Sequence, residues 1–249
     1  MLFQSGISME NIVTIKDLNV KFKNKKGLFD KATYKNVLKD VNFEIHRGEI
    51  LGLVGESGSG KSTIAKSILG LIPFEGEITH FSQNPEMVFQ DPYSALNPSK
   101  KVGWLLREAA LLDGVKDKEE QAEKAEKMIE LVGLGTEFLN RYPNELSGGQ
   151  RQRVCIAQAL VQEPELLIAD EPVSALDVTI QAQVLKLLRE LHEKMNLSIL
   201  FISHDLRVVY NICDRVIILK NGQIVEAGDT KEVYSNPQHE YTRQLLSSV

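Results

Sequence analysis

Residues 55–63 combine glycines with a lysine and several hydroxyl side chains at a spacing that suits phosphate binding. The run comprises Gly55, Glu56, Ser57, Gly58, Ser59, Gly60, Lys61, Ser62 and Thr63. It fits the pattern G-x-x-x-x-G-K-[ST], in which glycines let the backbone turn tightly and successive N–H groups point into one concavity. Lys61 can reach the β- and γ-phosphates of a nucleotide, and Ser62 can offer a hydroxyl to Mg²⁺. The run therefore predicts a phosphate-binding loop rather than a flexible linker.

The sequence on either side of this loop supplies the elements that must hold it. Residues 49–54 are mostly apolar and predict a short buried strand, whereas residues 63–70 predict a helix that ends at a glycine. A strand before the loop and a helix after it are the context that the motif needs. The positive end of the helix dipole also favours a bound phosphate.

Four polar residues stand at the ends of other apolar stretches that predict buried strands. They are Gln90, Asp170, Glu171 and His204. Because parallel strands place their carboxyl ends at one edge of a sheet, where ligands bind, we expect these side chains to converge near Lys61. Asp170 is then a candidate ligand of Mg²⁺, and Glu171 can polarise an attacking water. A pair of helix-capping acids and a structural histidine are the alternative interpretation.

A second glycine motif lies far from the first in sequence. It comprises Leu146, Ser147, Gly148, Gly149 and Gln150 and opens a predicted helix. Ser147 is well placed as the N-cap of that helix. Hydroxyl and N–H groups at a helix start form another anion cradle.

Composition and patterning predict one α/β domain with an inserted helical subdomain. The chain has 249 residues, 43% hydrophobic content and a net charge of −5, so no global attraction to nucleic acid is expected. Alternating strands precede the phosphate loop and predict a β lobe. Residues 92–156 carry helical periodicity and predict the inserted subdomain, with the core formed by residues 9–91 and 157–249. No apolar run reaches 18 residues and no secretory signal is seen, so we expect neither a membrane span nor export.

In this order, and together with residues 174–177, these motifs resemble those of the ATP-binding-cassette (ABC) ATPases. The resemblance extends over residues 12–227. It implies the fold of that family, which is a P-loop NTPase core with a mixed, largely parallel sheet, an antiparallel β lobe and an inserted α-helical subdomain. It also implies that ATP and Mg²⁺ are bound.

The resemblance assigns a role to each motif. Glu171 resembles the general base, His204 the switch that contacts the γ-phosphate, and Gln90 the glutamine that touches Mg²⁺ and relays the nucleotide state to a membrane partner. Residues 174–177, which end at Asp177, resemble the segment that links the two sites of a dimer. Ser147, Gly148, Gly149 and Gln150 resemble the signature that completes the site of the opposite subunit. ATP would then be held between two chains.

An aromatic side chain is expected to stack on adenine. Phe22 fits the family pattern at the end of the first strand. Tyr34 is the rival, because the segment between the two residues is long.

Two segments resemble the peptide and nickel importer subfamily, namely residues 90–98 and residues 236–246. The second departs from the pattern, since Glu240 stands where proline is usual. The resemblance implies a peripheral protein on the cytoplasmic face of the membrane, paired with a paralogous ATPase subunit; a homodimer stays open. Two transmembrane permease subunits, docking near residues 90–98, and an extracytoplasmic binding protein complete the expected importer of peptides, nickel or metal chelates.

Two other classes of function fit the sequence less well. A soluble ABC-type ATPase of DNA repair or cofactor assembly would carry a long coiled-coil insertion or zinc-finger cysteines, and the sequence has neither pattern. A nucleotide-binding regulator that does not hydrolyse ATP would not need Lys61, Asp170, Glu171 and His204 together.

Overall fold

The computed structural model describes residues 10–24 and 33–247. The strands are β1 (Asn11–Asn24), β2 (Thr33–His46), β3 (Ile50–Val54), β4 (Glu75–His80), β5 (Glu86–Val88), β6 (Leu166–Asp170), β7 (Ser198–Ser203), β8 (Arg215–Lys220) and β9 (Gln223–Asp229). The α-helices are α1 (Lys61–Ile68), α2 (Pro92–Ala95), α3 (Val102–Leu112), α4 (Lys118–Leu131), α5 (Gly148–Leu160), α6 (Val178–Met195), α7 (Leu206–Ile212), α8 (Thr230–Ser235) and α9 (Glu240–Ser247). Short 3₁₀ segments occupy Thr136–Asn140 and Pro143–Glu145.

A six-stranded sheet in the order β5-β6-β7-β3-β8-β9 forms the centre of the molecule. Neighbouring strands from β5 to β8 are parallel, and β9 closes the edge as the antiparallel partner of β8. Every residue of β3, β6 and β7 is buried, because both faces of the sheet are covered. The predicted mixed sheet is therefore confirmed, and the carboxyl ends of β3, β6 and β7 lie at one edge.

The predicted β lobe is a three-stranded antiparallel sheet in the order β2-β1-β4. Its alternating apolar residues pack on one face of the central sheet, where Ile12, Ile15 and Leu18 share a core with Leu53 and Ile64. This core connects the lobe directly to the strand and helix that flank the phosphate loop.

Residues 23–35 are basic and contain glycine, which predicts a hairpin loop, but the strand pairing extends into this range from both sides. Lys23 pairs with Tyr34, and Asn24 pairs with Thr33, so the ladder between β1 and β2 continues beyond the apolar alternation. Residues 25–32, the remaining part of the predicted loop, lie outside the described residues.

Helices α2 to α5 fill the interval between β5 and β6 and bury a second core. This core includes Leu106, Met128 and Val154 and continues under the central sheet to Phe201. The predicted limits of the inserted subdomain, residues 92 and 156, fall at the first residue of α2 and inside α5. The division into core and subdomain stays a prediction. Across the described chain, no helix has the length and apolar character needed to cross a membrane.

Candidate functional site

The phosphate loop runs from the end of β3 to the start of α1, as predicted. A Cβ on Gly55 would lie 2.3 Å from the carbonyl oxygen of Leu219, so no larger residue fits there. Gly60 caps α1 with a φ of 112°, a left-handed conformation that glycine adopts without strain. These two glycines hold the loop close to the neighbouring strand and turn it into the helix.

The loop borders a cavity of about 720 Å³. Polar groups from other strand ends reach the same cavity, namely Gln90, Glu171 and His204. Its remaining lining comprises Phe22, Val37, Val54, Gly55, Glu56, Ser57, Gly58, Gly60, Lys61, Ser62, Thr63 and Leu245. The sheet edge therefore brings together three strand-end residues that are far apart in sequence.

Lys61 is buried beneath the loop and is only 5% exposed. Its Nζ donates hydrogen bonds to the carbonyl oxygens of Gly55 at 2.7 Å and Glu56 at 3.1 Å. Burial lowers the pKa of the ammonium, whereas Glu171 and Asp170 oppose that shift. A cation is thus held at the cavity by carbonyls that a phosphate oxygen can replace.

Asp170 ends β6 directly below the loop and is 6% exposed, although it is not among the lining residues of the cavity. Burial raises the pKa of its carboxyl group, while a hydrogen bond with Ser62 and the charges of Lys61 and Lys66 act in the opposite direction. The structure therefore joins two of the predicted metal ligands, Asp170 and Ser62, in one contact.

This pair of oxygen donors fits Mg²⁺ bound together with a nucleotide. Mg²⁺ at such sites keeps several waters and takes one or two protein ligands plus phosphate oxygens. Across residues 10–24 and 33–247, no cluster of three or more His, Cys, Asp or Glu side chains could hold a metal ion by itself. A hydroxyl and a buried carboxylate beside a phosphate cradle are the donor set that a phosphate-bound cation needs.

Glu171 lies at the centre of the polar groups in the cavity. Its Oε2 accepts a hydrogen bond from Nε2 of Gln90 at 3.0 Å and lies 3.2 Å from Nδ1 of His204. The residue has a φ of 47°, in the left-handed region, and its N–H donates to the carbonyl of Ile202 at 2.9 Å. This conformation turns the chain at the end of β6 and directs the carboxylate toward the cavity.

The two candidate adenine-stacking residues are placed differently. Phe22 lines the cavity and is 44% exposed, so its ring is open to a ligand. Tyr34 is 64% exposed and is not among the lining residues.

Ser59 also departs from the pattern of its loop neighbours. It is buried, it does not line the cavity, and its Oγ has no hydrogen-bond partner among the described residues. Its carbonyl oxygen accepts the N–H of Gly222 at 2.9 Å. Ser59 therefore faces the β8–β9 turn rather than the cavity.

The second glycine motif opens α5 as predicted. Ser147 caps the helix, with Oγ accepting the N–H of Gln150 at 3.3 Å while Oε1 of Gln150 accepts the N–H of Ser147 at 2.9 Å. This reciprocal pair is a capping box. A Cβ on Gly149 would lie 2.4 Å from Cγ2 of Ile180, so glycine allows α5 to pack on α6.

None of the described residues that line the cavity comes from this motif, which is exposed at Ser147. Asp177, likewise outside the cavity, is exposed and caps α6 by accepting the N–H of Ile180 at 3.0 Å. The structure thus separates residues 147–150 and Asp177 from the phosphate loop within one chain.

Three lining residues were missed by sequence reasoning, namely Val37, Val54 and Leu245. Val54 precedes the loop and could have been inferred from the motif. Val37 follows from pairing with the strand of Phe22, whereas Leu245 had no local signal because its place depends on how the last helix packs.

Comparison with known proteins gives consistent matches. The family described as "ABC transporter" matches residues 38–174. A putative peptide import ATP-binding protein of Brucella ovis is 48% identical over 88% of this chain and 74% of its own length. An oligopeptide transport ATP-binding protein of Bacillus subtilis is 45% identical over 98% of this chain and 80% of its own length.

A solved structure is similar over most of this chain. It is the dimeric post-hydrolysis state of the ATP-binding cassette MJ0796 bound to ADP and Pi, with a TM-score of 0.76 and 29% identity. The match covers 88% of this chain and 98% of that one.

Proposed function

Because this chain belongs to the ABC transporter family, we propose that it is the ATP-binding and ATP-hydrolysing subunit of an importer whose cargo is peptides. Members of this family hydrolyse ATP to drive transport, so the chain is an ATPase. The relatives described above are named for peptide transport, which supports peptides over nickel or metal chelates as cargo.

The observation that carries the hydrolytic role is the arrangement around Glu171. Its carboxylate faces the cavity that holds Lys61, and Gln90 and His204 fix its position. A carboxylate so placed accepts the proton of a water that attacks the γ-phosphorus. His204 is exposed, lines the same cavity and lies 3.2 Å from Glu171, and we propose that it contacts the γ-phosphate.

The phosphate loop would supply the electrostatic part of catalysis. Lys61 exchanges its two loop carbonyls for β- and γ-phosphate oxygens, and the loop N–H groups bind the remaining charge. Ser62, Asp170 and Gln90 would hold Mg²⁺, which neutralises charge that develops on the phosphates. Phe22 stacks on the adenine ring, since it is the aromatic residue at the open side of the cavity.

Hydrolysis in this scheme requires a second ATPase subunit. ABC cassettes act as dimers within transporter complexes, and the similar solved structure is described as dimeric. Ser147 is exposed, Gly148 and Gln150 are partly exposed, and none of residues 147–150 lines the chain's own cavity, which supports their use in the cavity of a partner. We take the partner to be a paralogue, with a second copy of this chain as the alternative, and Asp177 to lie at the interface.

The membrane partner would dock around residues 90–98. Tyr93 is exposed there, and the guanidinium of Arg151 from α5 stacks 3.9 Å from its ring centre. Trp104 and Leu105 pack below, against the core. The segment begins at Gln90, which lines the cavity, and its Tyr93 contacts Arg151 of the signature helix α5. A permease bound at Tyr93 can therefore act on both the cavity and α5. Two permease subunits would receive their cargo from an extracytoplasmic binding protein. Binding to these subunits would place the chain at the cytoplasmic face of the membrane.

A soluble ABC ATPase is the second candidate, and no observation favours it. Helices α3 and α4 have 11 and 14 residues, so this part of the chain holds no long coiled coil. Cys155 and Cys213 are both buried free thiols rather than part of a zinc finger. Co-purification of the chain with a peptide permease pair distinguishes the two candidates.

Replacement of Glu171 tests the hydrolytic role. Glu171→Gln keeps the size and the hydrogen bonds but removes the base, so turnover should fall by about 10²-fold or more while ATP binding persists. The matched control is Glu165→Gln, just before the opposite end of the same strand, where the carboxylate pairs with Arg47 and accepts the N–H of Gln83 away from the cavity. Unchanged turnover in Glu171→Gln, measured as phosphate release, would exclude Glu171 as the base.

A further inference from the structure

The last helix, α9, packs against the beginning of the phosphate loop. Tyr241 from its first turn is only 4% exposed. Its hydroxyl accepts the N–H of Glu56 at 3.4 Å, and Nζ of Lys220 lies 4.3 Å from the ring centre. The phenol hydroxyl of Tyr241 therefore accepts a hydrogen bond from the backbone of the loop, which a phenylalanine could not do.

One turn further along α9, Leu245 lines the nucleotide cavity. Residues four apart share one face of a helix, so Tyr241 and Leu245 both point toward the loop. Leu245 and Leu246 are both half-buried and both pack against the core, but Leu245 lines the cavity and Leu246 does not. Leu245 therefore lies where α9 borders both the core and the cavity.

The segment before α9 is held in place on both sides. Glu226 of β9 accepts the N–H groups of Gln238 at 2.7 Å and His239 at 3.0 Å, which fixes the entry into the helix. In α8, the hydroxyl of Tyr234 donates to the carbonyl of Leu206 at 2.6 Å, two residues after His204. The C-terminal helices therefore contact both the phosphate loop and the segment that carries His204.

We propose that α9 forms part of the wall of the nucleotide site, in which Leu245 contacts the bound nucleotide and Tyr241 positions the phosphate loop. The proposal rests on the proposed function, because it takes the cavity to be the ATP site. Leu245 extends the apolar lining formed by Phe22, Val37 and Val54, which suits the uncharged part of a nucleotide. Tyr241 acts through the loop and does not touch the reacting atoms.

The test compares Leu245→Glu with Leu246→Glu in the full chain, by calorimetric titration with Mg·ATP. A carboxylate at position 245 replaces an apolar contact of the nucleotide with a charge of the same sign as its phosphates, so the Kd for ATP should rise about tenfold or more. Leu246→Glu places the same charge on the adjacent position, which packs on the core but does not line the cavity, and should leave the Kd close to that of the wild type. Thermal melting without nucleotide reports the cost of each charge to the fold.

Equal Kd values for the two variants would overturn the proposal, whatever their stability. If the wild-type chain itself does not bind Mg·ATP, the proposed function fails instead, so the two failures are distinguishable.

A second pair of variants tests the hydroxyl of Tyr241 without adding charge. Tyr241→Phe should raise the Kd for ATP about two- to tenfold, the value of one hydrogen bond to the loop. Tyr234→Phe removes a hydroxyl from the same part of the chain and should not change the Kd. An equal effect of both variants, or none in Tyr241→Phe, would overturn the positioning role.

Discussion

Two adjacent carboxylates at the end of β6 are placed in different environments by one backbone torsion. Asp170 is still in the strand and is buried against Ser62, whereas Glu171 adopts a φ of 47° and faces Gln90 and His204. A left-handed conformation costs a non-glycine residue about 1–2 kcal/mol. Such strain persists where the surrounding structure enforces it, and here it separates the acid proposed to bind Mg²⁺ from the proposed base.

Asp170 is expected to lower the stability of the nucleotide-free protein. Burial raises the pKa of its carboxyl group above the ordinary value of 3.8, so the folded state holds the proton more tightly than the unfolded state does. Its contribution to stability is therefore complete below pH 3.8 and is lost as the pH rises through the raised pKa. Asp170→Asn should thus melt at a higher temperature than the wild type near neutral pH. Its rate of ATP hydrolysis should fall by about 10²-fold or more, because a ligand of Mg²⁺ is lost.

Melting curves between pH 4.5 and pH 8 check this prediction, because the difference between Asp170→Asn and the wild type should grow with pH. Asp205→Asn is the control of opposite sign. Although partial burial raises the pKa of Asp205, hydrogen bonds from Arg207 outweigh it and the pKa is lowered. The contribution of Asp205 to stability is present above pH 3.8, so Asp205→Asn should melt at a lower temperature than the wild type near neutral pH. A melting difference for Asp170→Asn that does not change with pH would contradict the argument.

At the scale of elements, the turn between β8 and β9 joins the β lobe to the phosphate loop. The N–H of Gly222 donates to the carbonyl of Ser59 at 2.9 Å, and its carbonyl accepts the N–H of Lys39 at the same distance. A Cβ on Gly222 would lie 2.0 Å from the carbonyl oxygen of Val37. This glycine therefore sets the distance between the loop and the strand that carries Val37 into the cavity.

Gly222→Ala should destabilise the fold and weaken ATP binding together. Backbone strain at a φ of 77° and the clash with Val37 should cost about 2–4 kcal/mol. The control is Gly114→Ala, where φ is 95° but nothing lies within 4 Å of an added Cβ, so only about 1–2 kcal/mol of strain is expected. Urea unfolding and ATP titration measure both effects. Equal costs for the two variants would mean that the close contact at Gly222 has no role.

Helices and strands with a clear hydrophobic period could be predicted from the sequence. The contacts between these elements were harder to predict. The capping serine of α5 and the parallel core strands followed from local signals, because a cap and a fully apolar run have direct physical causes. The β1–β2 ladder was underestimated, since Lys23 and Asn24 pair with partners that local alternation does not reveal. Leu245 could not be predicted as a lining residue, because only tertiary packing of α9 brings it to the loop.

One chain carries two predicted anion cradles, the phosphate loop and the start of α5, and they do not meet. The phosphate loop lines the cavity, and the cradle at the start of α5 does not. If the second cradle serves a partner's nucleotide, damage to it should spare ATP binding by the isolated chain and abolish ATP-driven association. The two cradles are therefore separable by mutation, which a site contained within one chain would not allow.

Ser147→Asp makes this separation testable without unfolding the helix. Aspartate is as good an N-cap as serine and suits the positive end of the dipole, so α5 should keep its start. The added charge would repel the triphosphate of the opposite subunit, so ATP-dependent dimerisation in the Glu171→Gln background should be lost. The Kd for ATP of the monomer should stay close to that of the parent.

Ser147→Asn, which caps the helix without charge, should still dimerise, and Lys61→Ala should lose both binding and association. Light scattering with and without Mg·ATP, using the paralogous subunit where this chain does not pair with itself, reads out each variant. Loss of monomer binding in Ser147→Asp would show that the cradle belongs to the chain's own site. If Ser147→Asp still associates, the signature residues do not contact the partner's nucleotide at the interface. Only loss of association with intact binding is consistent with a nucleotide shared between two chains.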